Sequence, residues 1–217
     1  MNWRVVFFDL DDTLYPPSCG VWPAIGERIQ AYVVDRLGVT YDEATQLRRS
    51  YFEKYGTTLN GLWHLHSIDP SDYLEFVHAV PLETMIHPDP DLKSMLQALR
   101  QKRVVFTNAT RGHAERVLTC LGISSEIDAI VDLFALEMAN KPETIAYERA
   151  LKLAGEVDPR RCVLVDDLPR NLAPARAMGM TTVLVGPERQ NGAADVRIER
   201  ITDLTQALPG LVARDDR

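Results

Sequence analysis

The chain has 217 residues, of which 46% are hydrophobic and 25% are charged, and its formal net charge is −7. These values are typical of a globular protein and argue against a disordered chain, a nucleic acid polymer as partner and an anionic membrane surface. The first apolar run, Val5 to Phe8, is too short for a signal peptide or a membrane span. Three cysteines without a CxxC pair predict a reduced, cytoplasmic chain.

Five short apolar runs predict the buried strands of a parallel sheet, because they are too short for helices and too continuous for half-exposed strands. In chain order these runs are residues 4–8, 103–106, 129–134, 162–165 and 181–185. Helical spacing of apolar residues predicts helices between them over 92–99, 114–121, 147–154 and 172–178, with Pro142 in the first turn of the third. The alternation predicts a doubly wound α/β sheet with right-handed crossovers.

The long stretch between the first two strands breaks this alternation. One amphipathic face runs from Trp22 to Val33, and further helices are predicted over 41–55, 59–67 and 71–80, with a break at 55–58. We therefore predict a core domain formed by residues 1–14 and 89–217, and an inserted all-helical cap domain formed by residues 15–88.

Polar side chains follow the predicted strands at the ends where open α/β sheets bind their ligands. They are Asp9, Asp11 and Asp12 after the first strand, Thr107 and Asn108 after the second, Lys141 before the helix that follows the third, and Asp166 and Asp167 after the fourth.

Carboxylates gathered at one edge repel one another and have raised pKa values unless a cation joins them. Oxygen ligands without histidine or cysteine suit Mg²⁺, which keeps water ligands and shares phosphate oxygens. The Lys141 ammonium and the Thr107 hydroxyl would hold the remaining oxygens of a phosphoryl group. These residues predict a Mg²⁺-dependent site for phosphoryl transfer.

The run Asp9-Leu10-Asp11-Asp12-Thr13 matches the DxDx(T/V) signature of haloacid dehalogenase-like phosphohydrolases. Thr107-Asn108, Lys141 and Asp166-Asp167 resemble the other three motifs of that family in order and spacing, so the resemblance covers essentially the whole chain. It implies a Rossmann-like core, and the insertion occupies the place of the type 1 helical cap of subfamily IA.

The resemblance also implies a covalent mechanism. Asp9 would be the nucleophile that becomes an aspartyl-phosphate, and Asp11 would protonate the leaving oxygen and then activate water. Thr107 and Asn108 would position phosphoryl oxygens, and Lys141 would neutralise the transferring charge.

For the metal, the family pattern implies Asp9, the backbone carbonyl of Asp11 and Asp167 as the protein ligands of Mg²⁺. Asp166 would act on the metal through water or would hold Lys141; the sequence leaves these two roles open.

A narrower resemblance is to the pyrimidine 5′-nucleotidase branch of the family. It rests on three runs, which are Tyr55-Gly56-Thr57-Thr58-Leu59-Asn60-Gly61-Leu62, Phe106-Thr107-Asn108 with His113-Ala114, and Asp166-Asp167 with Asn171. It implies a pyrimidine nucleoside 5′-monophosphate as the small phosphorylated substrate, with Tyr55, Thr57 and Thr58 as further substrate-binding residues. We expect a monomer or homodimer.

Three other functions are compatible with parts of this pattern. A phosphotransferase similar to a sugar phosphomutase would use the same aspartyl-phosphate chemistry with a sugar as acceptor. A signalling receiver module also gathers acids, Mg²⁺ and a lysine, but it has neither a large insertion nor an acid at the position of Asp11. Dehalogenation needs no metal, and the dehalogenases of the family lack the equivalent of Asp11, so its presence favours a phosphate substrate.

Overall fold

A computed structural model describes residues 2–186 and 194–212 of the chain. The strands of this part form a parallel sheet in the order β3-β2-β1-β4-β5-β6. They are β1 (Val5–Phe8), β2 (Lys102–Phe106), β3 (Ala129–Val131), β4 (Cys162–Asp166), β5 (Thr181–Val185) and β6 (Val196–Ile198). The predicted class, a doubly wound α/β sheet, is confirmed.

Helices connect the strands and form a separate group between β1 and β2. They are α1 (Val21–Leu37), α2 (Tyr41–Tyr55), α3 (Thr58–His66), α4 (Pro70–Val77), α5 (Leu82–Met85), α6 (Pro90–Ala98), α7 (Arg111–Leu121), α8 (Thr144–Ala154), α9 (Pro169–Ala177) and α10 (Leu204–Ala207). Among the helices of the described residues, none combines the length and the apolar character needed to cross a membrane.

The sheet is apolar because its central strands are covered on both faces. All residues of β1 and β4 are buried, and the last three residues of β2 are buried as well. One face of the sheet packs against α8 and α9 through a cluster that includes Phe7, Phe106, Leu164 and Tyr147. Parallel strands buried on both faces have the continuous apolar sequence from which they were predicted.

The chain divides into two compact units, one formed by Gly20–Met85 and the other by the residues before and after it. The predicted insertion, 15–88, extends beyond this unit at both ends. At the first end, Tyr15 is buried and its hydroxyl donates to Asp11 at 2.6 Å. Tyr15 is therefore tied to the loop that follows β1, in the unit that carries the sheet.

The helical unit Gly20–Met85 contains α1 to α5, and its helices have clear local signals. Helix α2 begins with a capping box, in which Thr40 and Glu43 each accept from the other's backbone N–H. Gly61 lies on α3 against the Tyr51 ring of α2, and a Cβ at this position would lie 2.2 Å from Tyr51 Cγ. Gly61, the second glycine of the run 55–62, thus allows α2 and α3 to approach closely.

The structure differs from the prediction in several elements. The third strand ends at Val131 instead of 134, because Asp132 accepts from the N–H groups of Arg111 and Ala135 and turns the chain. Pro142 is not in the first turn of α8, which begins at Thr144. The prediction also lacked β6, α5 and α10, whose three or four residues are too few to show a periodicity.

Candidate functional site

The predicted nucleophile and the fourth acidic motif lie side by side in the sheet. Strands β1 and β4 are neighbours, with Phe8 opposite Val165, and the Asp9 N–H donates to the Val165 carbonyl at 2.8 Å. Asp9 follows β1, and Asp166 ends β4. The strand order reverses between these two strands, which creates the crevice in which doubly wound sheets bind ligands.

Lys141 lies between two of these carboxylates. Its ammonium Nζ is 2.7 Å from Asp9 Oδ1 and 2.7 Å from Asp166 Oδ2, and only 1% of its side chain is exposed. Burial alone would lower the pKa of Lys141, but the charges of Asp166 and Asp9 outweigh it and raise the pKa above its ordinary value. The lysine is therefore a fixed cation inside the site.

Asn108 holds the backbone of Lys141 through both ends of its amide group. Asn108 Oδ1 accepts from the Lys141 N–H at 2.8 Å, and Asn108 Nδ2 donates to the Lys141 carbonyl at 3.0 Å. The same pair of bonds explains why α8 starts late, because it keeps the chain at Lys141 in a non-helical turn. Asn108 thus has a positioning contact that its sequence position did not reveal.

Asp166 is fully buried, and both of its oxygens accept hydrogen bonds. Oδ1 accepts from the Leu168 N–H at 2.9 Å and from Asn171 Nδ2 at 3.0 Å, while Oδ2 accepts from Lys141. The Tyr147 hydroxyl donates to the Asn171 carbonyl at 2.6 Å. These contacts favour the role in which Asp166 holds Lys141 over direct metal ligation.

Asp167 completes an acidic cluster with Asp9 and Asp166, in which one oxygen of each carboxylate lies within 4.8 Å of the others. The Thr13 hydroxyl joins the cluster at 3.5 Å from both Asp9 Oδ2 and Asp167 Oδ1. Burial raises the pKa of Asp167 to about 7, and the charge of Asp166 adds to this rise. Burial also raises the pKa of Asp9 well above its usual range, with Lys141 opposing this and Asp166 and Asp167 supporting it.

The charges of this cluster fit a divalent cation. Three carboxylates and one ammonium leave two negative charges in a largely buried site when all four groups are ionised. Asp166 and Asp167 raise the pKa of Asp9, and Asp166 also raises the pKa of Asp167, as expected where a cation is needed to keep acids ionised together. Asp9 and Asp167 offer hard oxygen ligands of the kind that Mg²⁺ prefers.

The Asp11 carboxylate contacts two side chains that are not part of this cluster. Its Oδ1 accepts from the Tyr15 hydroxyl at 2.6 Å, and His113 Nε2 lies 2.9 Å from the same oxygen. The following residue, Asp12, has a φ of 56°, in the left-handed region that favours glycine and asparagine. Burial and the charge of Asp11 raise the pKa of Asp12 to about 6.

Thr107 is buried at the end of β2, and its Oγ1 accepts from the Ala109 N–H at 3.0 Å. Its backbone N–H donates to Val131 of β3 at 3.1 Å. The structure therefore brings Thr107 to the same edge of the sheet as the acidic motifs.

The predicted cap residues lie in the helical unit. Tyr55 is the last residue of α2, and Thr58 is the first residue of α3, so the break between the helices is Gly56-Thr57. Thr57 caps α3 with its Oγ1, which accepts from the Asn60 N–H at 3.1 Å. The assignment of Tyr55, Thr57 and Thr58 to substrate binding stays a prediction.

The sequence did not predict two of the residues that contact Asp11, which are Tyr15 and His113. Tyr15 had no motif to mark it, although it follows Asp11 by four residues. His113 belongs to a run that resembles the nucleotidase branch, but no role came with that resemblance. A signal was present in the position of His113, in the first turn of a helix that follows a strand end bearing a predicted motif.

Comparison with known proteins decides the family. The profile of the haloacid dehalogenase-like hydrolase family matches residues 3–179. The chain belongs to this family. The family prediction made from the four motifs is thereby confirmed, while subfamily IA and the pyrimidine nucleotidase branch stay predictions.

One relative of this haloacid dehalogenase-like hydrolase is a yeast protein. Phosphate metabolism protein 8 of Saccharomyces cerevisiae is 30% identical over an alignment of 195 residues, and the match covers 83% of this chain and 61% of the yeast protein. This chain therefore spans about three fifths of that relative's length.

Two solved structures share the fold at low identity. A phosphatase of the family from Thermococcus onnurineus has a TM-score of 0.66 at 20% identity, covering 97% of this chain and 100% of that one. A β-phosphoglucomutase from Clostridium difficile has a TM-score of 0.63 at 18% identity, covering 93% of each chain. At these identities the likeness establishes the fold and leaves the reaction to be argued from the site.

Proposed function

We propose that the protein is a Mg²⁺-dependent phosphomonoester hydrolase that works through an aspartyl-phosphate on Asp9. The observation that carries the proposal is the arrangement of Asp9, Lys141 and the two acids of the fourth motif. The Asp9 carboxylate contacts the buried Lys141 ammonium and belongs to an acidic cluster with excess negative charge. This arrangement suits attack by Asp9 on a phosphoryl group whose charge the lysine and a bound cation would neutralise.

In the first step, one carboxylate oxygen of Asp9 forms a bond to phosphorus while the bond between phosphorus and the leaving oxygen breaks. The leaving oxygen takes its proton from the Asp11 carboxyl group and departs as an alcohol. Lys141, held by Asn108 and Asp166, lies 2.7 Å from Asp9 Oδ1 and would neutralise charge on the phosphoryl group, and Thr107 would donate to a phosphoryl oxygen.

In the second step, water attacks the phosphorus of the aspartyl-phosphate. The water proton passes to the Asp11 carboxylate, the bond between Asp9 and phosphorus breaks, and inorganic phosphate and the free Asp9 carboxylate remain. Asp11 thus ends each cycle in the protonated form in which it began.

Asp9, Asp167 and the backbone carbonyl of Asp11 would hold the Mg²⁺, with Asp166 contributing through Lys141 or through water. The bound ion would neutralise charge on the phosphoryl oxygens. The name of the yeast relative refers to phosphate metabolism, which supports a phosphorylated compound as substrate.

Phosphate release from a panel of monoesters tests the proposal. The panel contains nucleoside monophosphates, sugar phosphates, small alkyl phosphates and p-nitrophenyl phosphate, each assayed with Mg²⁺ and with EDTA after dialysis. We expect release with Mg²⁺, none with EDTA and full recovery when Mg²⁺ is added back. Ca²⁺ should substitute poorly because its coordination shell is larger and more flexible.

The outcomes separate the alternatives. Full activity in EDTA would refute the metal, and transfer of phosphate to a sugar without release would favour the phosphomutase reaction. If pyrimidine nucleoside monophosphates are not preferred over purine nucleotides and sugar phosphates, the narrower substrate proposal fails while the phosphatase proposal stands.

Substitutions at Thr57 distinguish its capping contact from a role in substrate selection. We expect Thr57→Ala to lower the free energy of unfolding by about 1 kcal/mol, because it removes the N-cap of α3, whereas Thr57→Ser keeps a hydroxyl there. Thermal unfolding of both variants measures this. A change in the ratio of kcat/KM between a nucleotide and p-nitrophenyl phosphate in Thr57→Ser would reveal a role in selection beyond capping, and equal stability of the two variants would contradict the capping role.

A further inference from the structure

The acid that the proposed reaction uses twice is held by two buried side chains to which the reaction assigns no part. Tyr15 is 2% exposed, and the His113 side chain is 0% exposed. The Tyr15 hydroxyl donates to Asp11 Oδ1 at 2.6 Å, and His113 Nε2 lies 2.9 Å from that oxygen. Both contacts lie within the unit that carries the sheet.

The two side chains approach Asp11 from different parts of the chain. Tyr15 follows Asp11 in the same loop, after a turn in which the Leu14 N–H donates to the Leu10 carbonyl at 3.0 Å. His113 comes from the first turn of α7, where the Thr110 side chain accepts from its backbone N–H at 3.2 Å. Two donors from separate elements fix the torsion of a short carboxylate side chain more tightly than one donor can.

The chemistry of the contacts is consistent with this geometry. An ionised carboxylate accepts hydrogen bonds and donates none, so His113 must present Nε2–H to Asp11 in that state. A tyrosine hydroxyl is an O–H donor at neutral pH, and at 2.6 Å from a carboxylate oxygen the Tyr15 hydroxyl donates to it. Both groups can therefore remain donors throughout a cycle in which Asp11 gains and loses a proton.

We propose that Tyr15 and His113 are positioning residues that orient the Asp11 carboxyl group for both of its proton transfers. This inference rests on the proposed function, because it needs Asp11 as the acid and base. It implies that losing either contact slows only the steps in which Asp11 transfers a proton. In the first step, the decrease in rate should be larger for a leaving group that depends more on protonation.

Two substrates of similar size separate these steps. The leaving group of benzyl phosphate is a strongly basic alkoxide that needs a proton, whereas the leaving group of p-nitrophenyl phosphate is a stable phenolate that does not. For Tyr15→Phe combined with His113→Leu, we expect kcat/KM for benzyl phosphate to fall by about 10- to 100-fold. For p-nitrophenyl phosphate, kcat/KM should change little. Its kcat should fall, and a burst of p-nitrophenol should precede the steady state, because water attack on the phosphoenzyme still needs Asp11.

Matched variants give the test its controls. His113→Gln retains an N–H donor near the position of Nε2 and should recover most of the activity lost in His113→Leu. Tyr32→Phe removes a tyrosine–aspartate bond of the same length, 2.6 Å to Asp72, in the helical unit, and should leave the ratio of the two substrates unchanged. In an Asp11→Asn background, Tyr15→Phe should cause no further loss, since the hydroxyl acts through Asp11.

The possible results distinguish two failures. A wild-type enzyme that releases no phosphate from either ester in Mg²⁺ would refute the proposed function itself. An active wild-type enzyme with variants that slow both esters equally, or with a Tyr15→Phe loss that persists beside Asp11→Asn, would overturn the positioning role. If the double variant does not fold, the single variants Tyr15→Phe and His113→Leu carry the same comparison.

Discussion

Asp9→Asn is expected to abolish turnover and to prevent any covalent phosphoenzyme from forming. The asparagine amide matches the carboxylate in size but is not a nucleophile towards phosphorus. Asp166 also contacts Lys141, but it is fully buried and both of its oxygens accept hydrogen bonds, so it is not placed to replace Asp9. The measurements are phosphate release in Mg²⁺ and acid-quench trapping of phosphate on the protein, which the wild-type enzyme should show and Asp9→Asn should not.

The loss should be chemical and not structural. Burial and the nearby acids raise the pKa of Asp9, so its ionised form is unfavourable in the folded protein without a metal. A neutral amide relieves that repulsion, although it gives up one hydrogen-bond partner of Lys141. We therefore expect Asp9→Asn to unfold at a temperature no lower than the wild-type protein in EDTA.

Asp11→Asn is the matched comparison, because it makes the same change from carboxylate to amide in the acid two residues away. It should keep Mg²⁺-dependent binding of substrate and lose on the order of 10²–10⁴-fold in turnover, the usual contribution of an acid or base. Near-native turnover in Asp11→Asn, or a phosphoenzyme in Asp9→Asn, would refute the roles assigned to the two acids.

The parts of the fold that sequence predicted well are those with a strong local signal. Residues 41–55 were predicted as a helix and are helical over that range, since a capping box starts the helix at Thr40 and Gly56 follows it. The third strand was predicted too long, because 132–134 contains apolar residues whose turn depends on Asp132 bonding to Arg111 of another element. A contact between residues far apart in the chain produces no periodic pattern in the sequence from which the end of the strand could be predicted.

The same distinction holds at the site. The positions of Asp9, Asp166 and Lys141 at one edge of the sheet could be predicted, because parallel topology brings strand ends together. The bonds of Asn108 to the Lys141 backbone could not, since they link residues 33 apart through a turn whose path the sequence does not specify. The contact of His113 with Asp11 spans 102 residues, and only the packing of α7 against the sheet creates it.

Lys141→Met is the second substitution from which we expect a large effect, here on both stability and activity. The ammonium pairs with Asp9 and Asp166 at 2.7 Å in a buried site, and methionine fills a similar volume without a charge. Removing one partner of a buried ion pair leaves the other charges uncompensated, which costs about 3–5 kcal/mol. For a protein of this size the melting temperature should fall by roughly 6–20 °C.

The exposed Lys152 on α8 provides the control, because Lys152→Met makes the same chemical change outside the site. That variant should melt within a degree or two of the wild-type protein and keep its activity, since surface substitutions cost about 0.5 kcal/mol or less. Thermal and urea unfolding in EDTA isolate the effect of the lysine from that of any bound cation. A Lys141→Met protein as stable as Lys152→Met would contradict a stabilising role for the ion pairs of Lys141 with Asp9 and Asp166.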